Sequence, residues 1–285
     1  MDKRVLVIVP TYSNAETLGN CLDSIRNQTH EAFEVAIICD GASAECQSVA
    51  KAMADLDSRF SVVLKPKSER RGEPYRHEVI SGSSSQFVTY LCDDDLFLPN
   101  HLEQMLIDIE GYDFVNPLPA FVNREDRVWL MPTSIQNESS RRWQLSRVIR
   151  NSIGLSGVMH TRDAYFKLES GWETTPSKFP WTDLFMWRKF IASPTMQLRT
   201  SRKSTIIKFL GDSNAYDLQK LDQNSRWSQE IQKPGAVSTW NERVEEEKHK
   251  LLAELFVRSS SRLTTALLRR IRSFSSKILM KPRKP

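Results

Sequence analysis

The N-terminal two-thirds of the chain alternates apolar runs with amphipathic stretches. Val5-Leu6-Val7-Ile8-Val9 is continuous and mostly β-branched, which predicts a strand buried on both faces of a parallel sheet. Pro10-Thr11-Tyr12 stops it. Ser13 to Glu16 has the S-x-x-E form of a capping box, and Leu18, Leu22 and Ile25 follow on one helical face. A second strand is predicted over Phe33 to Cys39, ending at Asp40-Gly41, then a helix over Glu45 to Leu56 and a strand over Ser61 to Leu64. Lys65 to Ser85 reads as a long loop carrying Lys65, Lys67, Arg70, Arg71 and Arg76. Phe87 to Leu91 is the next strand; Leu102, Met105, Leu106 and Ile109 form a helix opened by Asn100 with Glu103 three residues on. Strands alternating with helices of this length predict βαβ units, whose ligands sit outside the carboxyl ends of the strands.

Further along, strands are predicted at Asp113 to Val115 and Val128 to Met131, with polar loops over Asn116 to Arg127 and Pro132 to Ser140. Ser156 to His160 reads as a short strand into a turn. Ser170-Gly171-Trp172 is a turn, and Trp181-Thr182-Asp183 leads into a helix over Leu184 to Ile191. Leu263, Leu267, Ile271, Phe274 and Ile278 make one apolar stripe after a break expected at Ser259-Ser260-Ser261. Such a basic amphipathic helix suits either an anionic membrane surface or a protein face.

Composition changes this picture in one respect. Residues 255–285 hold nine Lys/Arg and no Asp/Glu, so the net +5 resolves into +9 for the tail and −4 for residues 1–254. An acidic body argues against a nucleic-acid-binding core. The first apolar run is too short for a signal sequence or a membrane span. The four cysteines (Cys21, Cys39, Cys46, Cys92) have no metal-type spacing. Reduced thiols in a cytoplasmic chain, peripheral at most to the inner face of a membrane, are the expectation.

The candidate chemistry lies at Cys92-Asp93-Asp94-Asp95, directly after a strand. Three adjacent carboxylates repel one another and call for a counter-charge. They read either as a solvated acidic turn before a helix or as ligands of a hard divalent cation, which takes oxygen donors and keeps substrate phosphates as others. The cations of Lys65 to Ser85 fit either solvent or a diphosphate. A nucleotidyltransferase would show a Gly-rich basic loop after the first strand. Pro10-Thr11-Tyr12-Ser13 stands there instead.

With these residues in view the chain resembles the family-two glycosyltransferases of GT-A fold. The match runs through Val5 to Tyr12, Leu18, Leu22-x-Ser24-Ile25, Gln28-Thr29, Phe33-Glu34-Val35, Asp40-Gly41, Arg76-His77, Asp93-Asp94-Asp95 to Pro99, Gly171-Trp172 and Trp181-Thr182-Asp183. Asp93-Asp94 and Val158-Met159-His160 look nearest to spore-coat polysaccharide type enzymes. The resemblance implies a Rossmann-like, mostly parallel α/β sheet flanked by helices over residues 1–215, with a nucleotide-binding half (1–98) and an acceptor half (99–215). Residues 216–285 are then a helical extension ending in the amphipathic tail. It implies an inverting, metal-dependent hexosyltransferase that uses a UDP- or dTDP-sugar and a glycan or lipid-linked acceptor in surface polysaccharide synthesis. Pro10, Thr11, Tyr12 and Asp40 would form the base pocket, and Arg71 or Arg76 would lie near the base or diphosphate. Asp93 would face the ribose and sugar, Asp94 or Asp95 would hold Mg²⁺ or Mn²⁺, and Asp183 would be the general base. Cys92 replaces the first acid of the commoner D-x-D-D form, Thr182 replaces one of two acids beside the base, and His77 replaces an asparagine. The competing class is a catalytically inactive GT-A-like scaffold docked at a membrane.

Overall fold

The computed structural model describes residues 3–146, 151–209 and 218–279, with side chains as far as residue 257. In chain order the first elements are β1 (Val5–Thr11), α1 (Ala15–Arg26), β2 (Phe33–Asp40), α2 (Ala44–Leu56), β3 (Phe60–Lys65), α3 (Glu73–Gly82), β4 (Phe87–Tyr90), β5 (Leu96–Phe97) and α4 (His101–Asp108). There follow β6 (Phe114–Asn116), β7 (Ala120–Val122), β8 (Val128–Leu130), α5 (Glu138–Gln144), β9 (Met159–Thr161), α6 (Arg162–Phe166), α7 (Thr182–Ala192), β10 (Leu198–Thr200), β11 (Ile206–Phe209), α8 (Leu218–Glu230) and α9 (Ala236–Leu279).

Among the described residues the strands form a seven-stranded sheet of order β10-β6-β9-β4-β1-β2-β3 and a four-stranded sheet of order β5-β11-β7-β8. The large sheet is parallel except for β9, which runs antiparallel to both β4 and β6. β1 is an interior strand with both neighbours parallel, which is why Val5 to Val9 is apolar at every position and buried. One face packs on α1, α2 and α4 through Leu18, Leu22, Ile25, Ala50, Met53 and Leu102. The other packs on α6 and α7 through Tyr165, Trp187 and Phe190. Each Leu, Ile, Met or Phe among these contributes about 1.5–3 kcal/mol on removal from water. The small sheet has its own apolar layer, in which Trp227 of α8 and Trp240 of α9 meet edge to face against Leu96, Leu98 and Val122.

The strand and helix expectations over residues 5–64 hold to within a residue or two at each end. Several others need correction. The basic stretch after Lys65 contains α3, which starts from Gly72 in a left-handed conformation (φ 74°) with Pro74 in its first turn. Neither expected capping box forms. Asn14, not Ser13, caps α1 and turns its side-chain amide to Asp93, while Glu103 accepts from Thr29. The polar stretch after Asn116 includes β7. The turn at Gly157 precedes β9 rather than following it. No break occurs at Ser259 to Ser261; α9 runs unbroken through them.

Candidate active site

Three parallel strands set the site. β4, β1 and β2 are neighbours in register, with Ile8 opposite Tyr90 and Thr11 opposite Cys39. Their carboxyl ends therefore deliver Cys92 to Asp95, Pro10 to Tyr12, and Asp40 to one crevice. The closure is covalently remote but physically direct: Thr11 Oγ1 donates to Asp93 Oδ2 at 2.7 Å, and Asn14 Nδ2 to Asp93 Oδ1 at 2.9 Å. Burial, then the neighbouring Asp94 charge, pushes the Asp93 carboxyl up to about 7 against those two lowering bonds.

The triplet divides. Asp93 faces β1, whereas Asp94, Asp95 and Cys92 present their ligand atoms within 4.8 Å of one another. Asp95 is 3% exposed; its Oδ2 accepts from Ser156 Oγ at 2.5 Å and from Lys208 Nζ of β11. Asp94 Oδ2 accepts from Lys220 Nζ of α8 at 2.5 Å. Burial works to lower the Lys208 ammonium, but the Asp95 and Asp94 charges outweigh it and the group is held protonated. Burial pushes the Cys92 thiol up to about 12, and its soft sulfur is a poorer match for a hard cation than a carboxylate oxygen. Asp94 and Asp95 are oxygen donors of the kind such a cation takes.

At the β2 end, Asp40 is 4% exposed and fully engaged. Its Oδ2 takes Lys67 Nζ at 2.6 Å and Ser68 Oγ at 2.8 Å, and its Oδ1 takes the Ser68 amide at 2.5 Å. The same Lys67 ammonium lies 5.2 Å from the centre of the Tyr12 ring, which is 53% exposed. Gly41 lets the loop come this close: it sits at φ +63°, and a Cβ there would lie 2.6 Å from the Lys67 Cβ.

The two arginines separate sharply. The Arg71 side chain is exposed, and its backbone carbonyl accepts from Arg76 Nη2 at 2.7 Å. Arg76 is 2% exposed and lies over the Trp172 ring at 4.6 Å. Its Nε and Nη1 have no hydrogen-bond partner among the described residues. Trp172 is itself fixed, donating from Nε1 to Tyr90 Oη at 2.9 Å and from its amide to Tyr165 Oη at 2.8 Å. Gly171 is required beside it, because a Cβ there would overlap the Tyr165 hydroxyl.

Asp183 stands in the first turn of α7. Asn151 Nδ2 donates to both its oxygens, at 3.0 and 3.1 Å, and the Leu184 amide donates to Oδ1 at 2.8 Å. Burial raises its pKa, opposed by those bonds and by the Lys208 and Arg76 charges. Asp183, Arg76, Lys208 and the acidic pair thus share one electrostatic neighbourhood. Sequence reasoning missed Asn14, Asn151, Ser156, Lys208 and Lys220. Only Lys208 carried a signal, a lone charge within the apolar run Ile206-Ile207-Lys208-Phe209.

Comparisons with known proteins bear on this geometry. The family model described as glycosyl transferase family 2 matches residues 6–171. EpsH of Bacillus subtilis is 31% identical over 103 residues, a segment that is 36% of this chain and 29% of EpsH. The succinoglycan biosynthesis protein ExoU of Rhizobium meliloti is 32% identical over 119 residues, 42% of this chain and 34% of ExoU. The matches therefore span about a third of the length of these relatives. Among solved structures, S. aureus TarS 1-349 in complex with UDP-GlcNAc aligns with a TM-score of 0.57 at 17% identity, covering 79% of this chain and 65% of that one. Mannosyltransferase PcManGT from Pyrobaculum calidifontis, in complex with GDP-Man and Mn²⁺, aligns with a TM-score of 0.53 at 14% identity, covering 96% of this chain and 83% of that one. At such identities the likeness is one of fold, and the fold is GT-A. The nearness to spore-coat type enzymes stays an expectation of the sequence.

Proposed function

We propose, since the chain belongs to glycosyl transferase family 2, that it transfers a sugar from a nucleoside-diphosphate sugar to a hydroxyl of a glycan or lipid-linked acceptor. The observation that carries this reading is Arg76, a buried guanidinium with two donor nitrogens that lack partners among the described residues. Leaving such donors unmet costs about 1–3 kcal/mol, and a diphosphate is an anion that a planar guanidinium can meet with two parallel hydrogen bonds. Solved neighbours of the same fold carry UDP-GlcNAc and GDP-Man. For this chain we favour UDP or dTDP as the nucleotide, read against Tyr12 and the Asp40–Lys67 pair.

The acidic strand end fits a divalent cation. Asp94 and Asp95 supply carboxylate oxygens, the donors a hard cation prefers over the soft sulfur of the neighbouring Cys92. Mn²⁺ or Mg²⁺ bound there would neutralise charge that develops on the leaving diphosphate. Asp93 stands apart from that pair, tied to Thr11 and Asn14, and is assigned to the ribose and sugar. Asp183 is assigned as general base. Its pKa is raised by burial, which brings it closer to the range in which a base works at neutral pH. One base opposite one leaving group makes the transfer a single displacement, with inversion at the anomeric carbon.

A role in surface polysaccharide synthesis is supported by the named biosynthetic role of ExoU and by a Campylobacter jejuni relative named GalNAc(5)-diNAcBac-PP-undecaprenol beta-1,3-glucosyltransferase, 28% identical over 113 residues. An acceptor on a lipid carrier also accounts for the basic segment 255–285 as a contact with an anionic membrane surface. No described helix is long and apolar enough to cross a membrane.

Thermal-shift titration with UDP, dTDP, GDP, CDP and ADP, each with and without Mn²⁺, tests the donor site. Ligand at 100 times its Kd stabilises a fold by about 2.7 kcal/mol. A diphosphate that stabilises only with metal supports the reading and names the base. No shift with any of them leaves the inactive scaffold as the better account.

A further inference from the structure

The acidic pair reaches its counter-charges from far along the chain. Lys208 and Lys220 lie 113 and 126 residues beyond Asp95 and Asp94. Each ammonium contacts an Oδ2 oxygen of the two carboxylates assigned above to a divalent cation. A cation and an ammonium repel, and both draw on these two carboxylates, so entry of the metal favours moving the less firmly held ammonium aside.

The two lysines are held differently. Lys208 projects from within β11, and its partner Asp95 is 3% exposed and bound by Ser156 as well. Lys220 rides on α8, and the Asp94 side chain is 28% exposed. α8 meets the acidic strand end through a set of polar contacts. Asn224 Nδ2 donates to the Asp94 carbonyl at 3.1 Å, and Asn20 Nδ2 donates to Asn224 Oδ1 at 2.8 Å. Gln223 and Gln219 reach the carbonyls of Asn123 and Arg124. Its apolar anchor is Trp227, farther along the helix. A lysine on four rotatable bonds, at the polar end of such a helix, can leave one oxygen and find another without unpacking a core.

We propose that Lys220 is an exchangeable counter-ion of the donor site. It holds Asp94 in the ligand-free protein, yields that carboxylate to the incoming divalent cation, and then donates to the diphosphate the cation brings. Lys208 stays on Asp95 throughout. The exchange keeps a positive charge beside the acidic pair before loading and beside the phosphates after it. α8 lies beyond the residues matched by the family model, so this is a contribution of this chain's own C-terminal part. The proposal rests on the donor-site reading above.

Calorimetric titration of the full chain tests it with Mn²⁺ alone, and then with UDP and GDP at saturating Mn²⁺. Lys220→Met should bind Mn²⁺ alone about tenfold or more tightly than wild type, because the competing ammonium is gone. The same variant should bind the diphosphate about tenfold or more weakly. Lys220→Arg, which keeps the charge, should bind Mn²⁺ no tighter than wild type and retain most of the diphosphate affinity. If Lys220→Met binds Mn²⁺ no better than wild type, or loses nothing toward the diphosphate, Lys220 is a fixed structural ion pair and the proposal falls. Should Lys220→Met not fold, tighter Mn²⁺ binding by Lys220→Arg would overturn it equally. Wild-type protein that takes up neither Mn²⁺ nor a diphosphate would instead overturn the donor-site reading itself, and this proposal with it.

Discussion

Asn151 donates its side-chain amide to both carboxylate oxygens of Asp183, at 3.0 and 3.1 Å, across 32 residues of chain. This fork orients the carboxylate at the start of α7 and opposes the rise in pKa that burial imposes. Asp183→Asn should leave nucleotide binding intact and lower kcat by about 10²–10⁴-fold, the range of general-base help. Asn151→Ala is more discriminating. Without the fork the Asp183 pKa rises further, so the ascending limb of the kcat–pH profile should move to higher pH. A kcat that falls with no movement of that limb would mean that Asn151 serves only the local fold.

The orphaned donors of Arg76 make a second test. Arg76→Gln keeps a polar side chain of similar length and removes the charge. Diphosphate affinity in the presence of Mn²⁺ should fall about tenfold or more, the cost of one charge-assisted contact. Arg71→Gln, altering a side chain that is exposed, should change it little. Equal losses in the two variants would move the anion contact away from the buried guanidinium.

Much of the frame was legible because it is written locally. A strand buried on both faces must be apolar at every position, so Val5 to Val9 and Val35 to Cys39 announced themselves, and the strand order then brought Thr11, Asp40 and Asp93 together. The helix α3 was not legible. Its face toward the body carries Glu73 and Arg76, a buried acid and base that look like surface in a sequence. The partners of the acidic triplet were hidden for a different reason: ion pairs that close over more than a hundred residues leave no periodic trace. Asn14 stood at an unassigned position of the Ser13-x-x-Glu16 pattern, and a residue beside a helix start gives no sign in sequence that its amide turns to a site carboxylate instead.

Acid should unfold this protein partly through two histidines. His160 is fully buried; with Nδ1 donating to the Thr161 carbonyl at 3.0 Å, its Nε2 accepts from Tyr90 Oη at 2.7 Å. Burial lowers it to about 4, and lowers His101, stacked on Phe97, to about 3. A depressed folded-state pKa gives stability that is complete above the unfolded value of 6.5 and is lost as pH falls through the folded value. For His160 the difference corresponds to about 3 kcal/mol. Wild-type Tm should therefore drop between pH 6.5 and 4. His160→Gln should start lower, having lost its fit, yet fall less over the same range. Parallel curves would assign the acid sensitivity to other groups.

The last prediction concerns α9. Its first turns belong to the body: Trp240 is 1% exposed and donates from Nε1 to the Ser204 carbonyl at 2.9 Å, and Val244 is 2% exposed. By Leu252 and Leu255 the exposure is 62% and 63%, so this part of the helix has left the core. The residues from 255 on carry nine Lys/Arg and no acid. Near an anionic surface each such charge contributes about 1 kcal/mol, an attraction that salt screens within a Debye length of about 8 Å at physiological ionic strength. The full chain should therefore co-sediment with vesicles containing phosphatidylglycerol and not with phosphatidylcholine alone, and should release as salt is raised. Deleting residues 255–285 should abolish this binding while leaving the Mn²⁺-dependent diphosphate shift in place, because none of the donor-site residues named above lies beyond α8. Unchanged sedimentation of the truncated chain would rule out the tail as the membrane contact. Loss of the diphosphate shift on truncation would show instead that the segment supports the body.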